Sequence, residues 1–258
     1  MTKLRYLLYL VIAIPVLLFL IWMIAIPADL IRDRIESAVT NTGNSNLKLS
    51  IKGFRKGLFC NLYADSLDLS IDDKPALRIT GFRSTFNPGY LTKKELALSI
   101  KGKIGTGDIN GLLKLPLDGR ITIEKAELDA ISFLSQFGVK IKGYVFSDIT
   151  IKNNFLTVAF KVPDLDIDDS DSVIPLLNTF HRLQGSLSIE NNIIKITSIS
   201  LEGDKGYARL KGDIANRRLN LSLELMPDEN KLSTGESMLI GRYIVSPGYY
   251  VIPIRKRL

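Results

Sequence analysis

The sequence predicts a mainly β protein: an N-terminal transmembrane helix, then a long curled, gutter-like antiparallel sheet with two or three short helices. Three observations predict it. First, a short string recurs five times: an Ile or Leu, a Lys or Gln, a Gly, and usually another apolar residue soon after. It reads Ile51-Lys52-Gly53, Ile100-Lys101-Gly102, Ile141-Lys142-Gly143, Leu183-Gln184-Gly185 and Leu210-Lys211-Gly212. Gly102, Gly143 and Gly185 lie 41 and 42 residues apart, and a fixed period implies a structure built by repetition. Second, apolar and polar residues alternate from Asn46 onward, the pattern of half-buried strands. Third, no charged residue stands between Arg5 and Asp29. About 20 apolar residues cross a hydrocarbon core of roughly 30 Å.

These features divide the chain into residues 1–28, a cytoplasmic tail and transmembrane anchor; 29–45, a short amphipathic helix and linker; and 46–258, the repetitive antiparallel β domain. The run from Tyr6 to Ala28 is longer than the apolar core of a signal peptide, and Ala25-Ile26-Pro27 is a poor cleavage site, so an uncleaved anchor is expected. Pro15 is tolerable there because neighbouring backbone absorbs a kink. Lys3 and Arg5 precede the span while Arg32 and Arg34 follow it, so the charge bias is slight. A short tail beside a large domain favours a cytoplasmic tail and an outer-side domain, in the periplasm where the cell has one. Next, Leu30, Ile31, Ile35, Ala38 and Val39 recur at helical spacing, with Arg32 and Glu36 set for an i,i+4 pair. Asn41-Thr42-Gly43-Asn44 supplies a stop.

The strands then follow in series. Leu47-x-Leu49-x-Ile51, Leu67-x-Leu69-x-Ile71 and Leu96-x-Leu98-x-Ile100 alternate, as do Leu156-x-Val158-x-Phe160 and Leu219-x-Leu221-x-Leu223. Asp72-Asp73, Asn87-Pro88-Gly89, Asn153-Asn154, Asn191-Asn192 and Asn216-Arg217 punctuate them. Glycines repeated on the apolar side would let the sheet curl along its length; glycines scattered through a closed sandwich are the alternative. Ala130 to Phe137 and Val173 to Leu183 read as brief helices, and Met238 to Ile244 as a helical turn. Tyr249 to Ile254 reads as an edge strand, the position that suits Pro253.

Candidate chemistry is sparse. The single Cys60 excludes an internal disulfide and a thiolate metal cluster. Asp164, Asp166, Asp168, Asp169 and Asp171 have the alternate spacing of a calcium loop's oxygen ligands, but Asp169 stands where the turn glycine belongs and Pro175 where the closing Glu belongs. One histidine, His181, cannot build a His-based zinc site or, without a nucleophile motif, a triad. Gly105-Thr106-Gly107 lacks the Lys-Ser/Thr of a phosphate loop, Ser45-x-x-Lys48 lacks its companion motifs, and Asn220-Leu-Ser222 lies inside a strand. No catalytic, cofactor or metal residues are therefore assigned, and no enzyme activity is expected. A net charge of +7 and the closing Arg255-Lys256-Arg257 favour anionic surfaces. The lysines are spread singly without an aromatic stripe, so no nucleic acid is expected as a partner.

The opening, from Arg34-Ile-Glu-Ser-Ala-Val-Thr-Asn-Thr-Gly43 through Leu47-Lys-Leu-Ser-Ile-Lys-Gly53, resembles AsmA-like proteins. So do the Gly-punctuated stretches Leu98 to Gly111 and Leu183 to Ile196. The length and the closing Ser246-Pro-Gly-Tyr249 to Ile252-Pro-Ile254 resemble the related type II secretion system protein N family. The resemblance implies an inner-membrane, single-pass anchor with a periplasmic β-groove, a non-enzymatic component of protein secretion or envelope biogenesis. For AsmA-like relatives it implies instead a lipid carrier or conduit between inner and outer membranes. The expected partners are membrane lipid or acyl chains in the groove, and secretion-apparatus or envelope proteins. Leu98, Ile100, Ile141, Val158 and Leu221 are the expected groove-lining residues, because they sit centrally in the strongest alternating strands.

Overall fold

The computed structural model describes residues 13–14, 17, 20–40, 47–116, 118–132, 140–153, 155–168, 176–190, 193–215 and 218–257. The first seven strands are β1 (Leu47–Lys52), β2 (Arg55–Lys56), β3 (Leu62–Ile71), β4 (Lys74–Phe86), β5 (Leu96–Ile104), β6 (Gly107–Leu115) and β7 (Asp118–Glu127). Next come β8 (Lys140–Lys142), β9 (Tyr144–Lys152), β10 (Phe155–Val162), β11 (Asp166–Asp168) and β12 (Phe180–Glu190). The last five are β13 (Ile193–Gly203), β14 (Gly206–Ala215), β15 (Arg218–Pro227), β16 (Ile244–Ser246) and β17 (Tyr249–Arg257). The α-helices α1 (Ala28–Thr40) and α2 (Thr234–Gly241) accompany them among the described residues.

Fifteen of these strands form one antiparallel sheet in the order β1-β3-β4-β5-β6-β7-β9-β10-β12-β13-β14-β15-β17-β16, with β2 pairing β3 beside β1. The sheet is open, and β8 and β11 pair separately. Sequence neighbours are nearly always sheet neighbours, because tight turns close adjacent strands at little entropic cost. Asp72 and Asp73, for example, both take positive φ (50° and 61°), which matches the right-handed strand twist in a two-residue hairpin.

Short turns occur at both ends of the sheet, but its longest links, 128–143, 163–179 and 228–248, all emerge at the same end. At one end, the hairpin end, β6–β7, β9–β10, β12–β13 and β14–β15 join through short turns. At the other, the cap end, the long links carry β8, β11, a 3-10 turn (Leu177–Thr179) and α2. The principal core lies under those links. Val162, Ala126, Ala208, Leu225 and Ile240 are almost fully buried there with Leu165, Ile167, Leu176 and Phe180.

α1 forms where expected but makes other contacts. Arg32 pairs with Asp29 (3.0 Å) and Asp33 (2.9 Å), while Glu36 accepts the Ile51 backbone N–H at 2.6 Å and so ties α1 to β1. The predicted helix over 173–183 is corrected: residues 180–183 begin β12, where Leu183 is opposed by Val162 and Leu201. The helical turn lies earlier than expected, at Thr234–Gly241, because Ser233 and Glu236 form a capping box. β17 runs to Arg257, and β16 pairs only with Tyr249 and Tyr250, so among the described residues no strand pairs with Pro253 on that side. The brief helix expected over 130–137 falls mostly outside the described residues. About half of the transmembrane helix expected over 6–28 also falls outside them, and among the described residues no helix is long and apolar enough to cross a membrane.

Glu236 secures the cap end. Its carboxylate accepts from Lys205 Nζ (2.6 Å) and from the Ser233 N–H (2.7 Å), and these bonds, Lys205 first, hold its pKa down at about 2 against an ordinary 4.5. A depressed folded pKa contributes stability above the unfolded pKa that is lost as pH falls from about 4.5 toward about 2. After discounting for partial exposure, Glu236→Gln is expected to cost about 1–2 kcal/mol at neutral pH, and roughly half or less of that near pH 3. Urea unfolding at the two pH values measures the difference.

Candidate functional site

Directly opposed residues in an antiparallel pair share a face, so the register traces rows across the sheet. Nearest the cap end, one row runs through Ala126 and Val145, then Val162, Leu183, Leu201, Ala208, Leu225 and Tyr250. All but Leu183 are buried. A second row, on the same face, runs Gly102-Ile109-Ile123-Ser147-Phe160-Gly185-Ile199-Leu210-Leu223-Ile252. A third runs Ile100-Gly111-Ile121-Ile149-Val158-Leu187-Ile196-Gly212-Leu221-Ile254. A fourth, nearest the hairpins, runs Phe86-Leu98-Leu113-Gly119-Ile151-Leu156-Ile189-Ile194-Ile214-Leu219.

Burial falls along this face. The first row is covered by the cap, whereas the third and fourth are half-buried apart from Ile196. Beyond them Leu96 and Leu115 oppose each other with about half their surface in solvent, 48% and 51%. The apolar face therefore closes at one end and opens at the other.

Four of the five residues expected to line a groove lie on this face: Ile100, Val158 and Leu221 in the third row and Leu98 in the fourth. Ile141 does not. It sits on β8, opposite Ile167 of β11, in the cap, because Gly143 turns the chain between β8 and β9 with φ +134°. The repeated glycines split in the same way: Gly102 and Gly185 share the second row, and Gly143 belongs to that bend. At Gly212, also in the third row, φ is +133° and a Cβ would stand 2.2 Å from the Asn220 carbonyl oxygen. Only glycine allows that approach.

The opposite face is polar and holds a separate trough of about 880 Å³ across β7, β9, β10, β12 and β13. Short side chains form its floor: Thr122, Ala159, Ser186, Ser198 and Ser200. Arg120 binds Asp148 at 2.9 Å and keeps that carboxyl below its usual range, helped by Thr122. The Tyr207 and Ser200 hydroxyls hydrogen-bond at 2.7 Å, and that bond, with Arg209 donating to the phenol oxygen, lowers the phenol's pKa. These cross-strand pairs, exposed at Arg120–Asp148 and part-buried at Tyr207–Ser200, are of the kind that stabilise a sheet surface.

The weaker chemical candidates resolve into structure. Asp166 and Asp168 face Lys142 and Lys140 across the β8–β11 pair, while Asp169 and Asp171 lie outside the described residues. No group of three or more potential metal ligands occurs among the described residues. His181 is half-exposed, 3.7 Å from Asp204. Thr106, in the β5–β6 hairpin, donates to Glu127 of β7, Lys48 pairs with Asp73, and Asn220 donates to Asp213. Ser45 is outside the described residues. Cys60 is an exposed free thiol.

One contact was not foreseen from sequence. Lys56, beside the hairpin end, donates to the carbonyl oxygens of Trp22 (2.6 Å), Met23 (2.8 Å) and Ile26. The Trp22 indole N–H in turn donates to the Gly57 carbonyl at 2.8 Å. The end of the N-terminal apolar run is thus clamped to β2 by a cation on its free carbonyls. A lone Lys next to a Gly gives no signal of such a partner more than thirty residues away. Compared with known proteins, the chain matches no family model, no curated protein and no solved structure.

Proposed function

We propose that this chain is a non-enzymatic, membrane-anchored envelope protein whose sheet curls into a gutter that shelters acyl chains. In this reading residues 1–28 hold it in the inner membrane and the sheet lies in the periplasm. The carrying observation is the apolar face itself: successive rows across ten strands, capped at one end and half-exposed toward the other. Each acyl CH₂ taken out of water is worth roughly 0.8 kcal/mol, so such a face needs no catalytic residue to retain lipid. The AsmA-like resemblance of the opening and of the Gly-punctuated strands supports the same reading.

A second reading, a secretion-apparatus component like type II secretion system protein N, draws on the sheet edge. β16 is three residues long, with Ile244 and Val245 56% and 64% exposed, an edge that could take a partner's strand.

A photoreactive amino acid in place of Leu221, in the full chain in intact cells, separates the two. A lipid-mass adduct on illumination is the expected result. An adduct with an envelope protein would move the second reading to the front, and a wholly intramolecular product would show that the face is packed shut.

A further inference from the structure

We propose that the whole hairpin end of the sheet, and not only the N-terminal segment, seats on an anionic bilayer surface. This goes beyond the acyl-chain reading and stands whether or not lipid occupies the apolar face. Three independent observations converge on it.

The first is charge. Lys93, Lys94, Lys114, Lys152 and Arg218 lie at the hairpin end, where β17 also brings Arg255. The row of Arg255 also holds Lys195 and Asp213, and the other acids toward this end are Glu95, Asp118 and Glu190, of which Glu95 is engaged by Lys114 at 3.1 Å. Among the described residues of the cap-end links the balance is acidic by contrast, since acids such as Asp129, Asp164, Asp204 and Asp228 outnumber Lys140, Lys142, Lys205, Lys231 and Arg242. Among the described residues the hairpin end is thus net positive and the cap links net negative.

The second is exposed apolar surface at the same tips. Leu91 (49%), Leu115 (51%), Phe155 (40%) and Ile193 (46%) stand out beside the basic residues. Phe155 and Ile193 belong to the sheet's polar face by register, where burial in the gutter cannot account for them. Apolar side chains flanked by lysine and arginine suit the headgroup–acyl boundary, where stems and rings enter and charges stay at the phosphates.

The third is the clamp of Trp22 and Lys56, which brings the N-terminal apolar run to this end. From β3, beside the clamp, to β13 the sheet order counts eight strand steps, or about 38 Å of sheet at about 4.8 Å per strand. A tether alone would hold β2 at the membrane and leave the tips of β10 and β13 free of it. Their apolar tips call for contact along the full width.

The test uses the full chain reconstituted in vesicles of phosphatidylglycerol and phosphatidylcholine whose acyl chains carry a nitroxide quencher. In a Cys60→Ser background, Phe155→Cys and Ile193→Cys place fluorophores at the distant hairpin tips, and Lys125→Cys and Asp204→Cys place them at the cap end. A label on the native Cys60 of the unaltered chain reports insertion, and a thermal melt confirms that each variant is folded. Strong quenching at 155 and 193, with little at 125 and 204, is expected. Each basic residue near an anionic surface strengthens association roughly fivefold. Lys152→Glu with Arg218→Glu, or vesicles of phosphatidylcholine alone, should therefore lower the quenching at 155 and 193 while Cys60 stays quenched. Labels at 155 and 193 no more quenched than those at the cap end would overturn the proposal, as would quenching there indifferent to both charge changes.

Discussion

Truncating Leu225 to alanine is expected to cost about 3–5 kcal/mol, the range for a large aliphatic side chain removed from a site that cannot collapse. Leu225 is 1% exposed, stands between Ala208 and Tyr250 in the cap-end row, and shares a small cleft with Leu176 and Phe180. The cap links and the sheet both press on this position, so neither can relax alone into the space. For a domain of this size the loss corresponds to a melting point lower by roughly 6–20 °C. Leu98→Ala, in the half-exposed fourth row, should cost about 1 kcal/mol, since much of that side chain is already in water. Thermal unfolding of the two variants checks the gradient. Equal losses would mean that the open part of the face is as tightly packed as the cap.

The second large effect is on acyl retention. Val158→Asp with Leu221→Asp puts two carboxylates into the third row, where the neighbours across the sheet are Ile149, Leu187, Gly212 and Ile254. An unpaired charge brought against hydrocarbon costs several kcal/mol unless it protonates. Lipid adducts at a probe in place of Ile121, in the same row, should fall at least about tenfold, equivalent to about 1.4 kcal/mol. Thr157→Asp with Ser222→Asp makes the matching change on the opposite face and should leave adduct formation unchanged. The two pairs alter the net charge equally, so a drop common to both would trace to folding or expression, whereas adducts undiminished by the third-row pair would sink the acyl-chain reading. Mass spectrometry of the illuminated protein makes the comparison.

Much of the architecture was legible because strand character is local. Which face Leu98, Ile100, Val158 and Leu221 occupy follows from a period of two, and hairpin turns keep sequence neighbours as sheet neighbours. The misreadings arose where local spacing and long-range pairing disagreed. Ile174, Leu177, Phe180 and Leu183 are spaced like a helical stripe, yet Phe180 and Leu183 pair with Gly203 and with Leu201 and Val162. The hydrogen bonds to flanking strands outweigh a weak helical preference. Arg32 and Glu36 have the spacing of an ion pair, but Glu36 instead accepts the Ile51 N–H of β1, a donor at the sheet edge that needs an acceptor.

Of the site, sequence alone determined the alternation, the scarcity of reactive groups and the apolar character of one face. These depend on which residues stand two apart. Tertiary structure decided which end of that face is closed and which is open. The closure comes from Leu165, Ile167, Leu176 and Ile240, whose links all emerge at the same end. It decided that Ile141 leaves the face for the cap, since the bend at Gly143 carries β8 onto β11. It also brought Lys93, Lys152 and Arg218 to one end of the molecule, although they are scattered over more than a hundred residues. In an antiparallel meander alternate turns fall on the same side, and only the assembled sheet gathers what those turns carry.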